Sequence, residues 1–187
     1  TEGDLDGEIN SGERDVFLMK FDSYGNKLWT KLYGTANIDS GNTVKIDSSG
    51  NIYLTGYTEG TFNGNTSKGS YDAFLIKLNA AGEVLWIKQT GTSGADTSGS
   101  IVLDNDENIY ISGYVDGSTD STFELGTPDA YVAKFAPDGT ELWLKRWGSE
   151  GLEITYKAAF HNEFIYIVGG TNGDVGGAGF IGGIYDS

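Results

Sequence analysis

The sequence contains no cysteine, one histidine and two prolines among its 187 residues. Without cysteine it can form no disulfide, no thiolate metal site and no cysteine nucleophile. A single histidine also leaves no pair for a zinc site, and it has no acid-base partner at the spacing of a catalytic triad. These absences exclude several common enzyme and metalloprotein classes.

Basic residues are also scarce, because 12 lysines and arginines stand against 27 aspartates and glutamates, which gives a formal net charge of −15. Such a charge repels phosphate backbones and anionic membrane surfaces, so nucleic acid is excluded as a partner. No run of 18 apolar residues occurs either, so the sequence predicts no insertion of a helix into a membrane.

The residues that are abundant indicate short strands joined by tight turns. The chain has 29 glycines, and 13% of its residues are aromatic. Aromatic residues favour strands, and glycine permits the backbone conformations that tight turns require. The composition therefore predicts an all-β fold.

The sequence repeats itself with a period of 57 residues. The segment "DVFLMKFD" at 15 returns as "DAFLIKLN" at 72 and as "DAYVAKFA" at 129. Trp29, Trp86 and Trp143 recur at the same interval, and "GNIYLTGYT" is answered by "ENIYISGYV" and "EFIYIVGGT". A fixed period of this length is typical of solenoids and propellers.

Each period contains four candidate strands, represented by "GNTVKID", "NIYLTGYT", "DAFLIKLN" and "VLWIKQTG". The turns between consecutive strands, such as "DSYGN" and "DSSGN", are rich in Asp, Asn and Gly, which indicates hairpins. Four antiparallel strands per period is the strand count of a β-propeller blade. The connector between the second and third strands is unusually long.

These segments resemble the bacterial SBBP-type β-propeller repeat, which carries "D-a-F-v-a-K-y-d-s-x-G-n-x-x-W", then "G-T", then "v-D-s-s-G-N-v-Y-v-t-G-y-t". Nearly the whole chain follows this pattern, and the departures lie in the last unit, "YKAAFHNEFIYIVGGTNGDVGGAGFIGGIYDS". The resemblance implies a propeller of an exported or surface-associated bacterial protein, and it implies no reaction. We expect an extracellular or cell-surface location.

The register predicts a partial propeller domain over 1–187 with roughly three and a half blades. Its repeat units run over about 1–57, 58–114 and 115–171, with a partial unit over 172–187. An open arc leaves strands and blade faces uncovered. The remaining blades are therefore expected from the same polypeptide or from a homo-oligomer.

The opening stretch "TEGDLDGEINSGERDVF" suggests a calcium loop, with Asp4, Asp6, Glu8, Asn10 and Asp15 as candidate ligands. The stretch aligns without a gap on "TEGTFNGNTSKGSYDAF", in which the first three acids are replaced by Thr61, Asn63 and Asn65. A calcium-binding loop of the EF-hand type also needs glycine where Ile9 stands. A solvated acidic connector without a cofactor is the favoured interpretation.

Several recurring or variable residues are candidate site residues. Trp29, Trp86 and Trp143 are interpreted as packing residues, with a sugar-binding surface as the alternative. Asp39, Asp96 and Glu153 are interpreted as acceptors that hold the turn before the first strand, with metal or acid catalysis in a channel as the alternative. Candidate ligand-binding aromatics are Tyr33, Trp147, Phe62 and Phe123.

The preferred hypothesis is a non-enzymatic module that binds protein or glycan through its connectors, because the framework repeats while the connectors differ. The alternative is a structural repeat protein that assembles into an oligomeric ring or filament. A propeller enzyme that uses acids of the channel is a third reading. The sequence offers no nucleophile elbow, phosphate loop or dinucleotide fingerprint in its support.

Overall fold

The computed structural model describes residues 1–62, 64–117 and 128–174. Its regular elements in that part of the chain are strands, without any α-helix. The twelve strands are β1 (Val16–Phe21), β2 (Lys27–Tyr33), β3 (Asp39–Ile46), β4 (Ile52–Thr58), β5 (Asp72–Leu78), β6 (Val84–Thr90), β7 (Ala95–Leu103), β8 (Ile109–Asp116), β9 (Asp129–Phe135), β10 (Glu141–Trp147), β11 (Glu153–His161) and β12 (Phe164–Thr171).

The strands form four sheets, which we name A (β1–β2), B (β3–β4–β5–β6), C (β7–β8–β9–β10) and D (β11–β12). Every pairing within a sheet is antiparallel and joins strands that are consecutive in the chain. The prediction of an all-β fold built from antiparallel sheets is confirmed. No sheet closes on itself among the described residues, and the blade count and the 57-residue period stay predictions.

The hairpin turns at one end of the sheets use the same local chemistry. Asp47 Oδ1 accepts hydrogen bonds from the amides of Ser49 and Asn51, at 3.0 and 2.8 Å. Gly50 completes this turn with a φ of +83°, in the left-handed region that glycine adopts without strain. In the equivalent turn of sheet C this position is Glu107, with a φ of +63°. The Glu107 carboxylate accepts a hydrogen bond from the Ser48 amide at 3.0 Å, so it ties this turn to that of sheet B.

Sheets B and C pack face to face around the largest buried cluster. Tyr53 and Leu75 of sheet B contact Ile111 and Tyr131 of sheet C, and all four side chains are almost fully buried. Because B also packs against A, the central strands β4 and β5 are buried on both faces. Their sequences are therefore nearly continuous in apolar residues, and the simple alternation of a sheet with one wet face is lost.

The other faces of B and C carry two further clusters. Sheet A contributes Val16 and Tyr33 to a cluster with Leu54 and Phe74 of sheet B. Sheet D packs Phe160, Ile165 and Ile167 against the opposite side of sheet C. The four sheets therefore follow one another in chain order, each packed on the next.

The first strands of successive sheets, β3, β7 and β11, are also hydrogen bonded to each other. Asn42 Nδ2 donates to the Ser98 carbonyl at 2.9 Å, and Thr43 Oγ1 donates to the Gly99 carbonyl at 2.7 Å. Further along, the Ala158 amide donates to Ser100 Oγ at 3.0 Å. This line of polar contacts sets the spacing of the sheets at one side of the stack.

The recurring tryptophans occupy equivalent places beside the next sheet. Trp29 lies on β2, Trp86 on β6 and Trp143 on β10. The Trp86 ring lies 6.2 Å from the Tyr53 ring, with the two planes tilted by 59°, and it also approaches Gly139 of sheet C. Trp143 meets Tyr110 edge-on at 5.8 Å. A packing role fits these surroundings and stays a prediction that substitution can test.

The outer faces of sheets A and D are exposed, although the equivalent faces of B and C are buried. Phe17 and Phe21 are 56% and 53% exposed, whereas Phe74, the residue equivalent to Phe17, is fully buried. At the other end, Tyr166 is 56% exposed, whereas its equivalent Tyr53 is fully buried. Each of these outer faces has the composition of an internal face.

Replacement of Trp86 by alanine tests the packing role. We expect Trp86→Ala to lower the free energy of unfolding by about 3 kcal/mol, at the low end for large aromatic truncations because the ring is partly exposed. Urea titration of the variant and the parent measures the difference. An unchanged midpoint, combined with loss of a bound sugar, would reverse the assignment.

Candidate interaction surface

The long connectors and the loops before the first strands meet at the end of the sheets opposite the hairpin turns. Arg14, at the end of the first connector, forms a parallel bridge with Ile38, and Tyr71 forms the equivalent bridge with Ala95. The amides of Asp39 and Asp96 donate to the carbonyls of Arg14 and Tyr71, at 2.6 and 3.0 Å. We call this the connector end.

The acidic residues of the first connector do not converge. The Asp6 carboxylate forms an ion pair with Lys27 and accepts a hydrogen bond from Thr30, while Glu8 pairs with Lys31 at 2.8 Å. The hydrogen bond from Lys27 is the main reason that the pKa of Asp6 lies below its ordinary value. Both acids are therefore held against β2, although most of the connector is exposed.

The other candidate calcium ligands are used for local hydrogen bonds. Asp4 Oδ1 accepts from the Asn10 amide at 2.9 Å, and Asn10 Oδ1 accepts from the Gly12 amide at 2.7 Å. Asp15 Oδ2 accepts from the Ser11 amide at 2.8 Å. Within the described ranges, no group of three or more acidic or histidine side chains is arranged to hold a metal ion. The calcium hypothesis stays a prediction that titration can test.

Two of the four aromatic candidates lie inside the protein, so the expectation that they face a ligand is wrong. Tyr33 is 9% exposed, and its hydroxyl donates to the Gly82 carbonyl of sheet B at 2.7 Å. Phe62 is 4% exposed and meets Phe74 edge-on at 5.3 Å. Both rings fill space between neighbouring elements, which the variability of their positions did not reveal.

Trp147 is partly exposed and lines an open cavity of about 380 Å³ together with Glu153, Ile167 and Thr171. It lies between sheets C and D, in the position that Tyr33 occupies between A and B. Of the three candidates that the structure describes, it is the one that lies beside this open cavity. Phe123 lies outside the described residues.

The recurring acids before the first strands hold the preceding turns. Asp39, Asp96 and Glu153 are almost fully buried. Asp96 Oδ2 accepts a hydrogen bond from the Thr92 amide at 2.6 Å, and Glu153 Oε2 accepts the equivalent bond from the Ser149 amide at 2.8 Å. These contacts are those expected of turn acceptors. Burial raises the pKa of both Asp39 and Asp96.

A cluster that sequence reasoning missed occupies the connector end. The rings of Tyr57 and Tyr71 lie 5.2 Å apart, and Arg14 Nη2 donates to the Tyr57 hydroxyl at 3.0 Å. Tyr114, which is equivalent to Tyr57, lies near enough to both tyrosines for their charges to raise its pKa, although burial raises it more. All four side chains are partly exposed. The signal in the sequence that could have indicated this cluster is the tyrosine that "TGYT" and "SGYV" share, at 57 and 114.

Comparison with protein families identifies the repeat. The family model described as SBBP, a β-propeller repeat, matches residues 28–63 and 85–123. The resemblance predicted from the sequence is confirmed for these two segments. Their described parts run through β2, β3 and β4 and through the equivalent strands β6, β7 and β8.

Two curated proteins are similar to this chain over most of its length. An uncharacterized WD repeat-containing protein, L264, of Acanthamoeba polyphaga mimivirus is 28% identical over 185 residues, which cover 78% of this chain. The regulatory protein FlaEY of Caulobacter vibrioides is 28% identical over 149 residues, which cover 73% of it. The matches span 13% and 15% of those two proteins, so this chain corresponds to a small part of each.

Throughout residues 1–62, 64–117 and 128–174, no helix is long and apolar enough to cross a bilayer.

Calcium titration tests the first connector. We expect added calcium to leave the melting temperature of the chain unchanged, because Asp6 and Glu8 are already paired with lysines and the remaining oxygens accept local amides. A ligand that binds only the folded state would raise the melting temperature by mass action. A calcium-dependent rise that disappears in the Asp4→Asn, Asp6→Asn double variant would restore the calcium hypothesis.

Proposed function

We propose that this chain, which carries the SBBP β-propeller repeat, is a non-enzymatic interaction module that binds a protein partner through its connector end. The observation that carries the proposal is the contrast between a repeated framework and differing connectors. The two described connectors contact equivalent loops through equivalent bridges, which Arg14 forms in the first and Tyr71 in the second. Their intervening side chains nevertheless make unrelated contacts.

The contrast is visible in the side-chain contacts of the two connectors. In the first, acidic side chains are paired with lysines of β2. In the second, Phe62 is buried and Gln89 of β6 donates to the Gly60 carbonyl at 2.9 Å. Variable loops on a fixed scaffold are the usual arrangement of a binding surface.

The chemistry of the connector end favours a protein partner. Tyrosine and arginine are enriched at the energetic centres of protein interfaces, and Tyr57, Tyr71, Tyr114 and Arg14 form one partly exposed group. The net charge of −15 would steer a partner with a basic face toward the chain. A glycan is the other partner class that aromatic side chains suit.

The larger context of the module is also part of the proposal. Sheets B and C would be two blades of a propeller with a 57-residue period, and the chain would contribute roughly three and a half blades. The remaining blades would come from the same polypeptide or from further copies of the chain. An extracellular or bacterial cell-surface location follows from the resemblance to exported repeats.

Selection of binders from a displayed peptide library tests the proposal, with a glycan array as the parallel screen. We expect selected peptides to protect the connector end from hydrogen exchange. The Tyr57→Ala, Tyr71→Ala double variant should bind such a peptide at least about tenfold more weakly, as loss of central interface aromatics does. Tyr24→Ala is the matched control, because Tyr24 is 90% exposed on a turn at the opposite end.

The outcomes separate the alternatives. Equal weakening by the control and the double variant would indicate a nonspecific effect and would contradict the assigned surface. Binding of glycans but not of peptides would show that the partner is a glycan and not a protein. Protection confined to the faces of the sheets would favour assembly instead.

Assembly is the second candidate function, and the exposed outer faces of sheets A and D favour it. Phe17 and Phe21 on one face and Tyr166 on the other are equivalent to residues that are buried between sheets B and C or between B and A. The outer face of sheet D on one copy would thus pack against the outer face of sheet A on another copy, in the way that sheet B packs against sheet C. Such contacts are heterologous and lead to rings or filaments.

Sedimentation of the chain distinguishes the two candidates. If assembly is the function, the mass should rise with concentration, and Phe17→Asp should return it to the monomer value because a buried unpaired charge disfavours the contact. Leu85→Asp is the matched control, because Leu85 is about as exposed but lies on the fourth strand of sheet B. A concentration-independent monomer mass would contradict assembly by this chain alone.

A further inference from the structure

Three contacts between successive sheets contain two carboxylates on either side of one glycine. At the contact of B with C, Asp72 Oδ1 and Asp96 Oδ2 lie 2.2 and 2.8 Å from the point where a Cβ atom on Gly91 would stand. Asp15 and Asp39 flank Gly34 in this way, and Asp129 and Glu153 flank Gly148. The glycine is required because any side chain there would collide with both acids.

The pair Asp72–Asp96 is removed from water. Both residues are fully buried. Asp72 Oδ2 accepts hydrogen bonds from the Lys68 amide at 3.0 Å and from Gln89 Nε2 at 2.8 Å. Asp72 Oδ1 has no hydrogen-bond partner, and the equivalent atoms of Asp15 and Asp129 lack one too. The same unpartnered oxygen therefore recurs at three places in the fold.

The surroundings do not neutralise two negative charges at this place. In the described part of the chain, no lysine or arginine side chain forms an ion pair with Asp72 or Asp96. Facing groups from the neighbouring strands are the phenols of Tyr131 and Tyr114, whose pKa values are raised chiefly by burial, the backbone amide of Asp116, and Arg146, which lines a cavity of about 30 Å³ with Thr92.

We propose that Asp72 and Asp96 share one proton, carried on Asp72 Oδ1 and directed toward Asp96, so that the contact between sheets B and C weakens as the pH rises. Two adjacent carboxylates in a buried site cannot both ionise without a large electrostatic cost. Asp96 is the natural acceptor because its oxygens already receive the Thr92 amide and hydroxyl, as a carboxylate would. The proton gives the unpartnered oxygen its hydrogen bond.

The charges of the two carboxyls are coupled. Burial raises the pKa of Asp96 above its ordinary value, and the neighbouring charge of Asp72 raises it further. Because the two groups are coupled, the raised value belongs to the pair. A carboxyl whose pKa is raised by folding contributes stability that is full below the ordinary pKa and is lost as the pH rises through the raised one.

The chain contains a variant of the same site in which a cation is present. At the contact of C with D, Arg146 Nη2 donates to the Gly117 carbonyl and to Asp129 Oδ2, at 3.0 and 3.1 Å. Gln89 Nε2 makes the equivalent two bonds, to the Gly60 carbonyl and to Asp72 Oδ2. The site at Asp72 therefore has the neutral amide of Gln89 where the site at Asp129 has the guanidinium of Arg146.

The decisive experiment compares Asp72→Asn with the parent in thermal melts at about pH 5 and about pH 8. The amide of the variant can donate where the shared proton would, without titrating. We expect it to raise the melting temperature at the higher pH by about 2–4 °C, with a smaller gain at the lower pH. A gain that is equal at both pH values, or a loss at both, would overturn the proposal.

Two further variants make the result specific. Asp96→Asn should lower the melting temperature at both pH values, because an amide nitrogen cannot accept the bonds that both Asp96 oxygens receive from Thr92. Gln89→Arg should raise the melting temperature at the higher pH, because the introduced guanidinium would stand beside Asp72 as that of Arg146 stands beside Asp129. Stabilisation of the parent by calcium chloride, absent in Asp72→Asn, would show a cation site and would contradict a shared proton.

A carboxyl titration by carbon NMR reads the site directly. We expect one carboxyl of the Asp72–Asp96 pair to titrate well above the ordinary range, and to return toward that range in Gln89→Arg. Titration of both carboxyls in the ordinary range would overturn the proposal, whatever the melting temperatures show.

Discussion

Sheets B and C each require a neighbour on both of their faces. The central strands of sheets B and C bury nearly every residue, so they cannot be stable beside water as a sheet with one wet face can. The other interactions follow from this requirement. Polar contacts align the first strands of successive sheets, and glycines in the turns allow close approach to the Trp29 and Trp86 rings.

Much of this architecture could be predicted from the sequence, because a repeat multiplies the local signals. The strands and their hairpins follow from "DSSGN"-type turns and from apolar segments that recur in equivalent places. What the sequence could not reveal is which sheet a side chain meets. Tyr33 reads as a variable surface residue, yet its hydroxyl reaches the Gly82 carbonyl of the next sheet. Asp6 reads as a calcium ligand until Lys27 is brought beside it.

The same limit applies to the candidate interaction surface. Tyr57 and Tyr71 are 14 residues apart, and nothing in the local pattern indicates that their rings are neighbours. They are neighbours because the connector leaves the end of β4 and enters β5, which pairs with β4. Arg14 joins them from the end of the first connector, just before sheet A. A surface that draws on several repeats is invisible to an alignment of one repeat with another.

The buried and the exposed carboxylates of this protein have different roles. Buried carboxylates such as Asp72 and Asp96 lie where successive sheets meet and accept amides of their own loops. The more exposed acids contribute most of the net charge of −15. The fold therefore separates the electrostatics that hold the sheets from the electrostatics that meet a partner.

The second connector is fixed at both of its ends. Phe62 is inserted beside Phe74 near its beginning, and the bridge of Tyr71 with Ala95 holds its end. Residues 64–70, between these anchors, carry no apolar side chain. Asn65 and Lys68 form hydrogen bonds with Gln89 and Asp72, so foreign sequences could be inserted between them, at residues 66 and 67, which would make the repeat a scaffold for displayed peptides.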